Sequence, residues 1–364
     1  MKRFFLFLLF LILFFNFSCK KQNKIIVKNI DGVQVIFNPK NPVYIEGIPN
    51  KLTLKEELTI GGENKEEYIF SRIIDIAVDD MERIYAADAR EGHIKIFDKN
   101  GNYIKTIGKK GKGPGEFYFI FSLQITPKNE LVVYDIGNRR VSFFNLNGEF
   151  IKSVSSGKVW ALRCKIDSKG NFVVTEGVSD PKNSRYELKK FDSNFNLIKV
   201  MGQSPYPSPD AFNPFMPFDQ WVLTENDYIF YAYPENYEIK IFDPSCKLIK
   251  KIVKEYEPVE ITEEEKKEAM KRAVFRGIKF AFSKYHSAFQ RFSIDDEGRI
   301  FVRTWEKTED GKNYYYNIFD PEGRYIAKIP LKIFPRLWKK GKLYTIEENE
   351  EGFPIIKRYK VIWE

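Results

Sequence analysis

Two consecutive stretches decide the architecture: IIDIAVDDMERIYAADAREGHIKIFDKNGNYIKTIG, from Ile73 to Gly108, and FSLQITPKNELVVYDIGNRRVSFFNLNGEFIKSVS, from Phe121 to Ser155. Each contains four short apolar or alternating runs, the pattern of buried and half-buried strands. Between the runs stand DDMER, DKNG, PKNE and NLNG. Their Asp, Asn and Gly suit tight turns, because these residues tolerate positive φ or hydrogen-bond their own backbone. Self-similarity of this kind marks a repeated four-stranded unit.

Three weaker copies follow in register: LRCKIDSKGNFVVTEG with FDSNFNLIKVMG, WVLTENDYIFYAY with IKIFDPSCKLIKKI, and FSIDDEGRIFVRTW with YNIFDPEGRYIAKI. The third-strand endings Asp98, Asn145, Asp192 and Asp243 recur every 47 to 51 residues. Asp320 arrives late, and setting aside the segment 260–286 restores the period, so that segment reads as a helical insertion. A sixth unit starts at Phe334 and stops after three strands. The missing strand has a candidate upstream, since LTLKEELTIGGENKEEYIF (Leu52 to Phe70) parallels NYIKTIGKKGKGPGEFYF. The expected fold is therefore all-β: a six-bladed β-propeller of four-stranded antiparallel blades over 27–364, its last blade closed by an N-terminal strand. Closure leaves no open sheet edge, which favours a monomer.

Composition agrees, with 43% apolar and 16% aromatic residues in 364, enough for a large β core. The net charge of +9 is scattered, and its short basic runs are broken by glycine or acids, so no nucleic-acid stripe is expected. At the N-terminus Lys2 and Arg3 precede an apolar run from Phe4 to Phe15, then Asn16, Phe17, Ser18 and Cys19. The run falls short of the roughly 20 residues that span a bilayer. It resembles a bacterial lipoprotein signal, with 1–18 removed, Cys19 lipidated and 19–26 a tether, although Asn16 replaces the leucine usual there. That resemblance implies an exported protein held on a membrane of the cell envelope, facing the periplasm or the surface. Cys164 and Cys246 then remain, and they are expected to stay unpaired.

The repeats themselves resemble the NHL-like repeats of bacterial six-bladed propeller lipoproteins, through GKGPGEF (Gly111 to Phe117), IYAADAREGHIKIFD and VVYDIGNRRVSFF. The resemblance assigns structural roles in the second-to-third-strand turns to Asp135, Asn138 and Arg140, and to Asp88, while His93 stands where the repeat has arginine. It implies fold and compartment without a reaction.

Loops on one rim of a propeller carry its function. Three blade-to-blade connections are long: the glycine-rich KKGKGPGEF, the aromatic QSPYPSPDAFNPFMPFDQW from Gln203 to Trp221, and the helical insertion, whose capping box Thr262–Glu265 opens a stripe of Met270, Val274, Ile278, Ala281 and Tyr285. The glycine-rich loop lacks the GK[ST] ending of a phosphate cradle. Only His93 and His286 exist, too few for a zinc lyase site or a histidine-pair lactonase. No metal ligand set and no cofactor are expected; calcium enters only under the alternative of a lactonase-like hydrolase, through Asp75, Asp219 and Glu176. The leading expectation is a binding module whose channel mouth takes an envelope protein, peptide or glycan through Arg72, Trp160, Trp221 and Arg291. A structural envelope scaffold is the remaining alternative.

Overall fold

A computed structural model describes residues 23–364, apart from 63–64, 158, 160, 181–182, 208–210 and 273–278. Six antiparallel blades stand in a ring. Their innermost strands are Ile73–Val78, Ile120–Ile125, Ala161–Ile166, Gln220–Leu223, Arg291–Ile294 and Leu337–Lys339, and these line the central channel. Within a blade each strand runs on by a hairpin to the next one outward, except at the outer strand of blade six. Hence the first-to-second and third-to-fourth turns share one rim, while the second-to-third turns and the connections between blades share the other.

The expected turn residues do what their chemistry allows. At the third-to-fourth turns Asp98, Asn145, Asp192 and Asp243 each accept the amide N–H two and four residues on, at 2.8 to 3.0 Å, and Asp320 accepts that of Arg324 at 2.8 Å. An identical acceptor role falls to Asp79, Asp167 and Asp295 at first-to-second turns. Side-chain acceptors of this kind satisfy backbone donors that a turn would leave unpaired.

Burial is organised by seam. Six apolar clusters occur among the described residues, each spanning two neighbouring blades: Tyr85, Leu131 and Phe144 join blades one and two, and Phe301, Trp338 and Leu343 join blades five and six. Both faces of a blade are thus covered by its neighbours, which explains why Ile84–Asp88 is buried along its whole length and apolar up to its last residue.

The ring closes as the repeat count requires. Leu52–Ile60 lies antiparallel to Pro354–Trp363, with Ile60 opposite Ile356 and Leu52 opposite Trp363, and forms the outer strand of blade six. One feature was not expected. A hairpin of Ile26–Ile30 and Val33–Asn38 adds outside blade four, where Val33–Asn38 runs parallel to Leu248–Lys254. Asn38 ties this hairpin to blade five, donating to the Gly323 carbonyl at 3.0 Å and accepting from the Tyr325 amide at 2.8 Å.

Candidate functional site

The repeat-turn residues hold the loop rim. Asp88 is fully buried and accepts the amides of Ser71 (2.6 Å) and Arg72 (3.1 Å); Asp135, equally buried, accepts those of Tyr118 and Phe119 at 2.9 Å each. Both carboxylates therefore pin the entry to their own blade's innermost strand. Asn138 donates to Asp135 at 2.7 Å and to the Gly111 carbonyl at 2.9 Å. Arg140 donates to the carbonyls of Lys112 (2.9 Å), Gly113 (2.6 Å) and Glu116 (2.5 Å). The glycine-rich loop is thus a carbonyl cradle around the protein's own guanidinium. Gly108, just before the loop, has φ +74° and lies so close to the buried Phe117 ring that an added Cβ would come within 2.3 Å. At the position equivalent to Arg140, His93 makes no such contacts; burial of its ring outweighs the pull of Asp88 and lowers its pKa.

The channel wall repeats one position six times. Asp75, Ser122, Arg163, Gln220, Arg291 and Arg336 each stand three residues before the last residue of an innermost strand, one per blade. Five of them reach onward to the next blade. Asp75 accepts the Leu123 amide at 2.9 Å, and the Ser122 hydroxyl donates to the Cys164 carbonyl at 3.1 Å. The Arg163 guanidinium lies 4.4 Å from the Trp221 ring centroid, and that of Arg291 lies 4.7 Å from Phe334. Arg336 closes the circle on Asp75 at 2.9 Å and on the Ile74 carbonyl at 2.7 Å. One residue from the end of its strand, Lys165 adds a fourth cation, 3.6 Å from Asp75.

The electrostatics are lopsided. Arg336 of blade six and Lys165 of blade three both pair with Asp75 of blade one. Arg163 and Arg291 have no hydrogen-bonding or carboxylate partner among the described residues, and each rests on an aromatic ring. Enclosure by the channel wall, with repulsion from Arg336 and Arg291 working against the pull of Asp75 and Asp219, brings the Arg163 pKa down to about 10. It remains a cation at neutral pH. Burial likewise lowers Arg291, with Arg303 and Arg336 adding repulsion.

Of the residues named from the sequence, Arg291 and, from the calcium alternative, Asp75 stand in this ring. Trp221 does not face a ligand: it is 1% exposed, its indole N–H donates to Thr175 Oγ1 at 2.8 Å, and Arg163 covers its face. A large apolar ring at a blade seam is worth more packed than displayed. Arg72 is exposed and lies outside the ring, in a cleft of about 540 Å³ at the seam of blades one and six, beside Glu347 and Glu348. Trp160, like Cys19, lies outside the described residues. Sequence reasoning missed Arg163, Lys165 and Arg336.

Two of the three long connections meet. Phe212 packs edge-on against Phe280 (6.0 Å), Phe215 lies tilted against Phe282 (6.1 Å), and the Ala281 amide donates to the Phe212 carbonyl at 3.1 Å. This overturns the helical stripe. The helix spans Glu263–Arg272 and buries nothing, while Ala281 lies in extended chain and Tyr285 bridges to Glu260. Val274 and Ile278 fall outside the described residues. Aromatic pairing with the proline-rich connection overrides the helical period, as tertiary context commonly does. The capping box is present: the Glu265 amide donates to Thr262 Oγ1 at 3.2 Å, and the Thr262 amide to Glu265 Oε2 at 3.0 Å.

A family model for 6-bladed β-propellers, DUF5128, matches residues 60–353. The chain belongs to that family. No curated protein matches the sequence. Among solved structures, a Bacteroides fragilis protein inferred to be exported shares 15% identity at a TM-score of 0.58, over 91% of this chain and 99% of its own. A DUF4221 member from Bacteroides vulgatus shares 13% at a TM-score of 0.54, over 87% and 100%. A gluconolactonase from Xanthomonas campestris shares 11% over 89% and 99%, at a TM-score of 0.46. The two Bacteroides likenesses show the propeller fold alone, and a reaction does not travel with a fold.

The calcium alternative can be tested against the donors this DUF5128 chain presents. Asp75 is 7% exposed, and its oxygens are spent on the amides of Ile76 and Leu123 and on Arg336. Asp219 accepts from Thr175 Oγ1 at 3.0 Å, and Glu176 pairs with Lys189 at 2.7 Å. Among the described residues no three of His, Cys, Asp or Glu converge on one point. A divalent cation in the channel would also face Arg163, Arg291 and Arg336, so the residues present do not fit it.

Proposed function

We propose that this DUF5128 propeller is a lipid-anchored cell-envelope binding module that receives its ligand at the loop-rim mouth of the channel. One observation carries the reading. The two aromatic connections pack on each other, and each runs directly into a channel position: the first ends at Gln220, the second at Arg291. Tyr206, Phe212 and Phe218 nevertheless remain 48%, 42% and 56% exposed. Clustered, rigid, partly exposed aromatic rings supply contact area at small entropic cost, the property that marks binding surfaces. An anchor at Cys19 would hold this mouth near the membrane.

The test uses the full chain extracted from its own membranes in mild detergent. Molecules that co-purify are released by denaturation and identified by mass spectrometry, for wild type and for Phe212→Ser/Phe218→Ser. A ligand retained by wild type and lost from the variant is expected, alongside fatty-acid labelling that disappears in Cys19→Ala. A panel of lactones and esters is assayed with calcium and with chelator. Calcium-dependent turnover would overturn the reading in favour of a hydrolase, and equal retention by both proteins would move the working surface away from the mouth.

A further inference from the structure

We infer that the channel holds an oxyanion, a carboxylate or a phosphate group of the ligand, clamped between Arg163 and Arg291. The inference rests on the channel-mouth reading and deepens it. In the ring of six, Arg163 and Arg291 belong to blades three and five and flank Gln220 of blade four. Arg336 has Asp75 to neutralise it, whereas these two have, among the described residues, only ring faces beneath them. A guanidinium lying over an aromatic ring is held flat while the N–H donors along its edge stay open, five in a fixed fork that matches a carboxylate or phosphate. Between them, the Gln220 side chain makes a single 3.3 Å contact, to the Phe218 carbonyl, and supplies a neutral donor.

The supports of the clamp are themselves fixed. Thr175 Oγ1 accepts from the Trp221 indole at 2.8 Å and donates to Asp219 at 3.0 Å, so the platform under Arg163 is immobilised from behind. Arg303 stands opposite Arg291 across the blade-five hairpin, its Nε buried without a hydrogen-bond partner and its guanidinium 4.1 Å from the Tyr314 ring. Arg163 and Arg291 thus face the channel from blades three and five with Arg303 behind Arg291, and each raises the other's electrostatic cost, so an anion held between them relieves that mutual repulsion. Blade four's ring position, Gln220, is neutral, and the neighbouring carboxylate of Asp219 is engaged by Thr175 Oγ1.

The experiment titrates the full chain in detergent with inorganic phosphate and, separately, with succinate. Ionic strength is held constant with chloride, and binding is read by melting temperature and by calorimetry. Expected is a saturable rise in melting temperature with at least one of the two, the tighter naming the ligand's anionic group. Arg163→Gln and Arg291→Gln should each weaken that binding at least tenfold. Arg163→Lys keeps a cation over Trp221 but loses the fork, so it should fold as wild type and still bind more weakly. Melting that does not respond to either anion at constant ionic strength, or unchanged affinity in both glutamine variants, overturns the inference. An uncharged co-purifying ligand would sink the clamp while sparing the mouth; phosphate or succinate binding without any ligand lost from the Phe212→Ser/Phe218→Ser protein would do the reverse.

Discussion

Asp75 shows how much one side chain does in the channel wall. Burial works to raise its carboxyl pKa, but Arg336, Lys165 and the amides of Leu123 and Ile76 outweigh it and hold the group below the usual carboxylate range. In the unfolded chain an aspartate titrates near about 3.9, so on acidification the unfolded state takes up its proton first. The stabilisation is therefore complete above about pH 5 and is lost as pH falls through the depressed folded value. Asp75→Asn should cost about 3 kcal/mol at pH 7, because the buried carboxylate that Arg336 and Lys165 both address is lost. Urea melts of the two proteins should converge between pH 4 and pH 2, and a gap that persists undiminished at pH 2 would contradict this account. The ring containing Asp75 was only partly legible in the sequence. Arg291 and Asp75 were picked out by type and place, yet Arg163 and Arg336 emerge only when IIDIAV, IFSLQI, ALRCKI, QWVL and RFSI are aligned from their last residue backwards. Strand ends are set by turn chemistry, and the short RLWKK unit of blade six turns too tightly for its register to be read from spacing alone.

Elements were legible wherever local chemistry and tertiary packing agree. Strands flanked by Asp, Asn and Gly turns fall where alternation places them, because the turn acceptors and the apolar faces demand the same register. The insertion after blade four is where they disagree. Its opening TEEE has a cap and a helix, and Met270, Val274, Ile278, Ala281 and Tyr285 recur at helical spacing, but Phe280 and Phe282 find Phe212 and Phe215 and stay outside the helix. What remains of the helix is joined to the body through His286, which stacks on Trp305 at 4.0 Å and meets Glu265 at 3.4 Å. Desolvation lowers the His286 pKa despite Glu265, so the ring is neutral at pH 7. Glu265→Ala, which removes both the cap and this contact, should cost about 1 kcal/mol and raise amide exchange throughout Glu263–Arg272. Met270, 43% exposed, is the control: Met270→Glu should shift stability by no more than about 0.5 kcal/mol. A larger loss from Met270→Glu would mean that the helix has a packed face.

At the scale of the whole molecule, the closing strand decides whether six blades behave as one body. Every apolar cluster spans a seam, so a blade's stability comes from its two neighbours, as in other repeat proteins, and a ring differs from an open array in having no terminal unit. That closure rests on Leu52–Ile60, reinforced where the chain ends: the amides of Asn50 and Lys51 both donate to the Glu364 carbonyl at 3.0 Å. The upstream hairpin Ile26–Ile30 and Val33–Asn38 has a different task, since it covers the outer edge of blade four and fastens blade five through Asn38. Deleting 23–38 should therefore leave a cooperative ring with a lower melting temperature, whereas deleting 23–62 should open blade six, broaden or split the transition and expose an edge prone to pairing. A synthetic peptide of residues 50–62 carries the closing strand and its Glu364 contacts, so adding it to the 23–62 deletion should restore a single transition, with a midpoint that rises with peptide concentration. A scrambled peptide of the same composition should do nothing. Melting of the 23–62 deletion as one sharp transition without peptide would show that the seams alone hold the ring, and the closing strand would then be a cover for blade six instead of its lock.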